Sequence, residues 1–150
     1  MSKLILFVCT GNTCRSPMAE YYFNHINKSN KYQGYSAVSR GIYAEAGSPM
    51  AANARRVLLD NNIAADEAHI LHVSTQIDEQ IMQDAAFVYA ITANHANVLR
   101  SSFPDYTDKI ISMPEDIGDP YGASLETYAE CFDKIKCAID IIVEDLAEHG

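Results

Sequence analysis

The segment Cys9-Thr10-Gly11-Asn12-Thr13-Cys14-Arg15-Ser16 sets a thiol and a guanidinium six positions apart, with a glycine, an asparagine and small polar residues around them. A loop of this length is short enough to curl round one tetrahedral anion. Successive backbone N–H groups in such a loop turn inward as an anion nest, and a helix starting behind it adds free amides and a positive dipole end. Arg15 carries the planar fork that grips two phosphoryl oxygens at once. A cysteine in these surroundings is held as the thiolate and is a nucleophile for phosphorus. The expected chemistry is phosphoryl transfer to Cys9, with Thr10, Gly11, Asn12, Thr13, Cys14 and Arg15 binding the phosphate. The same contacts would stabilise equatorial charge in the transition state. The Ser16 hydroxyl would hydrogen-bond the Cys9 sulfur and ease its departure in the second step.

Transfer to sulfur also requires a proton for the leaving group. Asp119, in Gly118-Asp119-Pro120-Tyr121-Gly122, is the candidate, because Pro120 stiffens the chain after it and keeps Asp119 extended. It would protonate the leaving atom, then act as general base on water. An Asp-Pro pair alone reads first as a structural turn; its pairing with the loop makes it a catalytic candidate.

Something must hold this loop at the mouth of a cleft, and the chain carries the elements for it. Residues 3–9 form a continuous apolar strand, the kind covered on both faces. Helices are expected at 17–30, 49–61, 75–84, 93–101 and 124–147, with further strands at 36–40, 86–92 and 109–113. The last helix carries Ile135, Ile139, Ile142 and Leu146 as its stripe. Four strands separated by helices predict a three-layer α/β sandwich: a four-stranded parallel sheet with helices on both faces and the phosphate-binding loop after the first strand. Ligands bind outside the carboxyl ends of such strands, where Cys9 lies. Ser16 is expected to cap the first helix with Pro17 at its first position. Gly11 is expected to supply a positive-φ turn, and Asn12 tolerates a left-handed conformation.

The 150 residues are expected to make one domain, 1–150. Hydrophobic residues form 48% and charged residues 21% of the chain, as in globular proteins. No apolar run is long enough to span a membrane, and the five apolar residues before Cys9 are too few for a secretory signal core; a cytoplasmic protein is expected. The net charge of −9 is concentrated late, residues 115–150 holding 10 acids and 2 bases. Nucleic acid is not expected as a partner, because binding it needs clustered Lys and Arg. No metal-ligand spacing occurs, so neither metal nor cofactor is expected. The four cysteines do not imply a disulfide framework in this setting. Cys131 and Cys137 lie about 240° apart round the last helix and are expected to pack. The pair Arg55-Arg56 reads as solvated surface.

These residues resemble the low-molecular-weight protein tyrosine phosphatase family. Its loop of a cysteine, five residues and Arg-Ser matches Cys9 to Ser16, its bacterial extension matches Pro17-Met18-Ala19-Glu20, and its late Asp-Pro matches Asp119-Pro120. The resemblance covers the whole chain and is closest to the bacterial protein arginine phosphatase type. Tyrosine-directed members usually carry Ile or Leu where this chain has Thr13. A threonine hydroxyl would orient a water or a guanidinium hydrogen at the phosphorus, whereas a branched alkyl group favours an aromatic ring. Thr92 stands where many tyrosine phosphatases have Asp, and Tyr121, expected on the cleft wall, where the arginine type has Phe.

The resemblance implies a phosphorylated protein substrate, a phosphocysteine intermediate, and a network of Asn12, Ser39 and His72 holding the loop in shape. It implies also a reversible Cys9–Cys14 disulfide as a redox switch. The family's Ser-Ala-Gly is Ser39-Arg40-Gly41 here, so Arg40 is expected to alter the pocket rim, with Thr13 and Tyr121 as the other specificity residues. Phosphoarginine is the favoured substrate and phosphotyrosine the alternative. Two other readings stay open: a thiol-based arsenate reductase, which needs a relay of further cysteines, and a phosphoryl carrier, which has no use for Asp119.

Overall fold

The computed structural model describes residues 3–29, 34–64, 66 and 70–149. Strand β1 (Lys3–Cys9) lies inside a four-stranded, all-parallel sheet. β2 (Tyr35–Gly41) pairs on one side of it and β3 (Ala85–Ala90) on the other, with the short β4 (Ile110–Ser112) beyond β3. The connection from β1 runs to β2 on one side and the next connection crosses back over β1 to β3 on the other, so a crevice opens at the carboxyl end of β1, whose last residue is Cys9.

The unbroken apolar run of β1 is explained by its two covered faces. Ile5, Phe7 and Cys9 point into one core with α1 (Arg15–Ile26), α2 (Ala52–Asp60) and α5 (Leu125–His149). Leu6 and Val8 point into the other, with α3 (Glu79–Asp84) and α4 (Ala93–Ser102). Phe7 sits between the rings of Phe23 and Tyr89, at 6.3 and 6.0 Å. The expected three-layer architecture is thus present.

Several boundaries differ from expectation, for local reasons. α1 begins at Arg15, not Pro17, and the capping position is Cys14, with no side-chain cap. Ser16 is therefore inside the helix, its hydroxyl engaged with Cys9. Pro17 falls in the first turn, where an amide has no intrahelical partner, so the ring costs no bond. The expected last residue of that helix, 30, lies outside the described residues. α2 starts at Ala52 because Pro49 bridges Val73 in a short antiparallel contact. α3 is shorter than expected because Asp78 caps it, accepting from the Ile81 amide.

Gly11 does not take a positive φ; Asn12 does, at 59°. The glycine that the loop requires is Gly41, at the end of β2. A Cβ there would lie 2.7 Å from the Thr10 carbonyl oxygen and 3.0 Å from the Asn12 Cβ, so only a bare α-carbon lets β2 run this close to the loop.

Candidate active site

Cys9 leaves β1 buried, with its Sγ 2.9 Å from the Ser16 Oγ. The direction of that bond follows from the rest of the network. Asn12 is fully buried, and its two amide hydrogens go to Ser16 Oγ at 2.9 Å and Ser39 Oγ at 3.0 Å. Ser39 in turn donates to Glu20 Oε1 at 2.7 Å. With its oxygen accepting from Asn12, Ser16 has one hydrogen to give, and the sulfur at 2.9 Å is a nearer acceptor than the Arg40 carbonyl at 3.4 Å. Burial raises the Glu20 pKa, while Ser39 and the Arg40 charge work against that rise.

The remaining valences of Asn12 are also filled. Its Oδ1 accepts from the Thr75 amide at 2.9 Å, and its backbone carbonyl accepts from His72 Nε2 at 2.8 Å and Ser74 Oγ at 2.9 Å. A carbonyl only accepts, so His72 carries its proton on Nε2. Burial lowers the His72 pKa, opposed by this bond. Asn12, Ser39 and His72 are thus brought together at the back of the loop, and a left-handed residue is fixed there by five hydrogen bonds.

A pocket of about 560 Å³ opens over the loop. Cys9, Thr10, Gly11, Thr13, Cys14, Arg15, Asp119 and Tyr121 all border it, with Tyr43 on its rim. Arg15 is buried; its Nη1 donates to the Ile117 carbonyl at 2.8 Å, and its Nη2 lies 3.8 Å from Asp119 Oδ2. The other Asp119 oxygen accepts from the Tyr121 amide at 3.0 Å, across Pro120. The acid is thereby oriented while its side chain stays 51% exposed. Tyr121 stands at the mouth, 72% exposed. The partly buried Thr13 borders the same pocket with its Oγ1 3.6 Å from the Cys14 Sγ, and its carbonyl ties the loop to the Ala51 amide at 2.9 Å.

Two expectations about arginines need correction. Arg40 does not border this pocket. Its Nη1 donates to its own neighbour's carbonyl, Ser39 O, at 2.8 Å, and its charge acts on Glu20 and His72 behind the loop. β2 alternates its side chains, so the one next to the inward-facing Ser39 points away from the cleft. Of Arg55-Arg56, only Arg56 is plain surface, paired with Asp60 at 3.0 Å. Arg55 borders the pocket.

Cys14 is buried, 3.3 Å from Tyr128 Oη. Burial raises its pKa, with the Tyr128 bond opposing, so it is a thiol at neutral pH. Cys131 packs as expected, its Sγ 3.7 Å from the Gly118 carbonyl and its thiol pushed up to about 12 mainly by burial, but Cys137 is exposed instead of packed, on the other side of the last helix. Among the described residues no group of His, Cys, Asp and Glu is arranged to hold a metal, and no helix is long and apolar enough to cross a membrane.

One buried residue at the site escaped the sequence reading. His95, 6% exposed, lies with Nε2 2.8 Å from Thr10 Oγ1 and Nδ1 2.9 Å from Thr92 Oγ1. Its amide is capped by that same Thr92 oxygen at 3.1 Å. The only signal in the sequence is a Thr three residues before a His, which is an ordinary helix start. Burial, then the Arg15 charge, lowers its pKa to about 4, against the pull of Asp119 and Asp116.

A histidine kept neutral in the fold contributes stability that is complete above its ordinary pKa of 6.5. The contribution is lost as pH falls from there toward 4, because the unfolded chain binds the proton more readily. The expected loss is about 3 kcal/mol. His72 adds to this slope and Glu20 opposes it. Urea unfolding between pH 7 and 4 should therefore show a shallower decline for His95→Gln than for the wild type; parallel curves would contradict this.

The chain is similar in sequence and fold to known proteins. The family model described as low molecular weight phosphotyrosine protein phosphatase matches residues 4–150. A protein-arginine-phosphatase of Geobacillus stearothermophilus is 34% identical, over 97% of each chain. The crystal structure of a YwlE mutant from Bacillus subtilis superposes with a TM-score of 0.88 at 31% identity, covering 97% of this chain and 99% of that one. A cysteine-to-serine mutant of the YwlE arginine phosphatase, with a phosphorylated active-site serine, gives 0.88 at 30% identity, covering 97% of each. With a buried cysteine at the end of β1, an arginine at the head of α1 and an Asp-Pro at the pocket mouth, the chain belongs to the low molecular weight phosphotyrosine protein phosphatase family.

Proposed function

We propose that this protein is a cysteine-dependent phosphatase that removes the phosphoryl group from phosphoarginine side chains of proteins. Cys9 attacks the phosphorus in line and the P–N bond breaks. The electron pair goes to the guanidinium nitrogen, which takes a proton from Asp119. Water, deprotonated by Asp119, then displaces the Cys9 thiolate and releases inorganic phosphate. Arg15 turns from the Ile117 carbonyl onto two phosphoryl oxygens, and the loop amides take the rest. No metal or cofactor enters these steps.

The observation that carries the reading is the common pocket of Cys9, Arg15 and Asp119, with Ser16 bonded to the sulfur from behind. Support for the arginine-directed form comes from Thr13, which offers the pocket a hydroxyl instead of an alkyl wall, and from relatives named as arginine phosphatases. Phosphotyrosine is the runner-up, since Tyr43 and Tyr121 at the rim suit an aromatic ring as well. An arsenate reductase relay would need a further exchangeable thiol beyond Cys9 and Cys14, whereas Cys131 is a buried thiol far from ionisation and Cys137 does not border the pocket.

Phosphoarginine and phosphotyrosine peptides compared on wild type and Thr13→Ile test the specificity. The variant should shift the ratio of kcat/KM values toward phosphotyrosine by about 10-fold or more. An unchanged ratio would remove Thr13 as the determinant.

In this reading the enzyme works in the reducing cytoplasm. Peroxide would oxidise the Cys9 thiolate to a sulfenic acid, and the Cys14 thiol would condense with it, releasing water and closing a disulfide. Mild peroxide should then inactivate the wild type reversibly by thiol reductant, and Cys14→Ser largely irreversibly, as read by recovered activity. Equal recovery in both would remove the switch.

A further inference from the structure

We propose that His95 is a positioning residue that sets the Thr10 hydroxyl as a hydrogen-bond donor to the phosphoryl group. Thr92 Oγ1 accepts the His95 amide as the cap of α4. The hydroxyl keeps its own hydrogen, and the acceptor facing it is His95 Nδ1 at 2.9 Å. That bond places the imidazole proton on Nε2. Nε2 is 2.8 Å from Thr10 Oγ1, so it donates there. Having accepted, the Thr10 oxygen still owns a hydrogen, and the residue is exposed on the wall of the pocket beside Cys9.

The opposite tautomer would make Thr92 Oγ1 accept twice from one residue and leave its hydroxyl hydrogen without an acceptor among the described residues. It would also turn the Thr10 hydrogen away from the pocket. The arrangement seen avoids both costs and aims a donor at the place where equatorial charge grows, next to the loop amides and Arg15. The imidazole is packed between the first turn of α4 and the loop after β1, and the charged groups acting on it are Arg15, Asp119 and Asp116. Burial keeps it neutral through the physiological range, so the relay does not switch there.

This inference rests on the phosphatase reading and adds a residue to it. The test is a double-mutant cycle on kcat and KM with one phosphopeptide, using Thr10→Val, His95→Leu and the double variant, with Thr10→Ser and His95→Gln as conservative partners. Thr10→Val should lower kcat about 10-fold with little change in KM, because the bond strengthens as charge develops. His95→Leu should cost about as much, and the double variant no more than either single, since both remove one donor. Thr10→Ser, and His95→Gln with its amide N–H, should recover most of the loss. Losses that multiply, an effect confined to KM, or full activity in Thr10→Val would overturn the proposal. Should His95→Leu fail to fold, the Thr10→Val and Thr10→Ser pair decides alone: loss in the first with recovery in the second supports the donor, and equal activity overturns it. Failure of the phosphatase reading shows differently, as no phosphate release by the wild type from any peptide, and overturns both.

Discussion

Cys9→Ser is expected to lower kcat for phosphate release by about 10⁴-fold or more while leaving oxyanion binding in place. A hydroxyl has the shape of the thiol but is hardly ionised at neutral pH, so the loss falls on the chemical step. In the proposed mechanism ground-state binding falls to other groups: the loop amides, with Asn12 bonded behind them, and the guanidinium of Arg15. Inorganic phosphate should therefore bind Cys9→Ser with an affinity close to that of the wild type, measured calorimetrically. Loss of binding together with activity would mean that the substitution had collapsed the loop. Near-normal turnover would mean that the sulfur is not the nucleophile.

Asp119→Asn is expected to cost kcat about 10²- to 10⁴-fold, the usual range for a positioned general acid and base. The substitution preserves the local geometry, because an asparagine oxygen still accepts from the Tyr121 amide. It removes only the transferable proton and the charge beside Arg15. Leaving-group dependence separates chemistry from structure. With an aryl phosphate whose leaving oxygen departs without a proton, formation of the intermediate should be nearly unaffected. With phosphoarginine it should be slowed severely. Equal losses on both substrates would make Asp119 a structural residue.

The parts of this site that lie close in sequence were legible there. The apolar run 4–8 reads as a strand covered on both faces because it is one, and the seven residues from Cys9 to Arg15 carry their chemistry in their spacing. Asp119-Pro120 was legible only as a partner to that loop, since a turn would use the same pair. Ser39 and His72 entered through family resemblance, and their bonds to Asn12 span 27 and 60 residues that no local pattern connects.

What stayed hidden was what tertiary packing decides. Glu20 accepts a hydrogen bond from Ser39, 19 residues further along the chain. His95 meets Thr10 across 85 residues of chain, because β1 and β3 are neighbours only after the sheet forms. The start of α1 was misplaced because Ser and Pro signal a helix entry, whereas here the anion loop runs straight into the helix and its own residues open the first turn. Arg40 was assigned to the rim by analogy of position, and strand alternation turns it behind the loop instead.

The central claim is that the phosphoryl group passes through the sulfur of Cys9. Acid quench of Asp119→Asn during turnover of an aryl phosphate whose leaving oxygen departs without a proton, followed by mass spectrometry of the N-terminal proteolytic fragment, shows whether it does. The account predicts a phosphoryl adduct on Cys9 that forms and decays at rates compatible with turnover. Steady phosphate release with Cys9 unmodified at every quench time would contradict it.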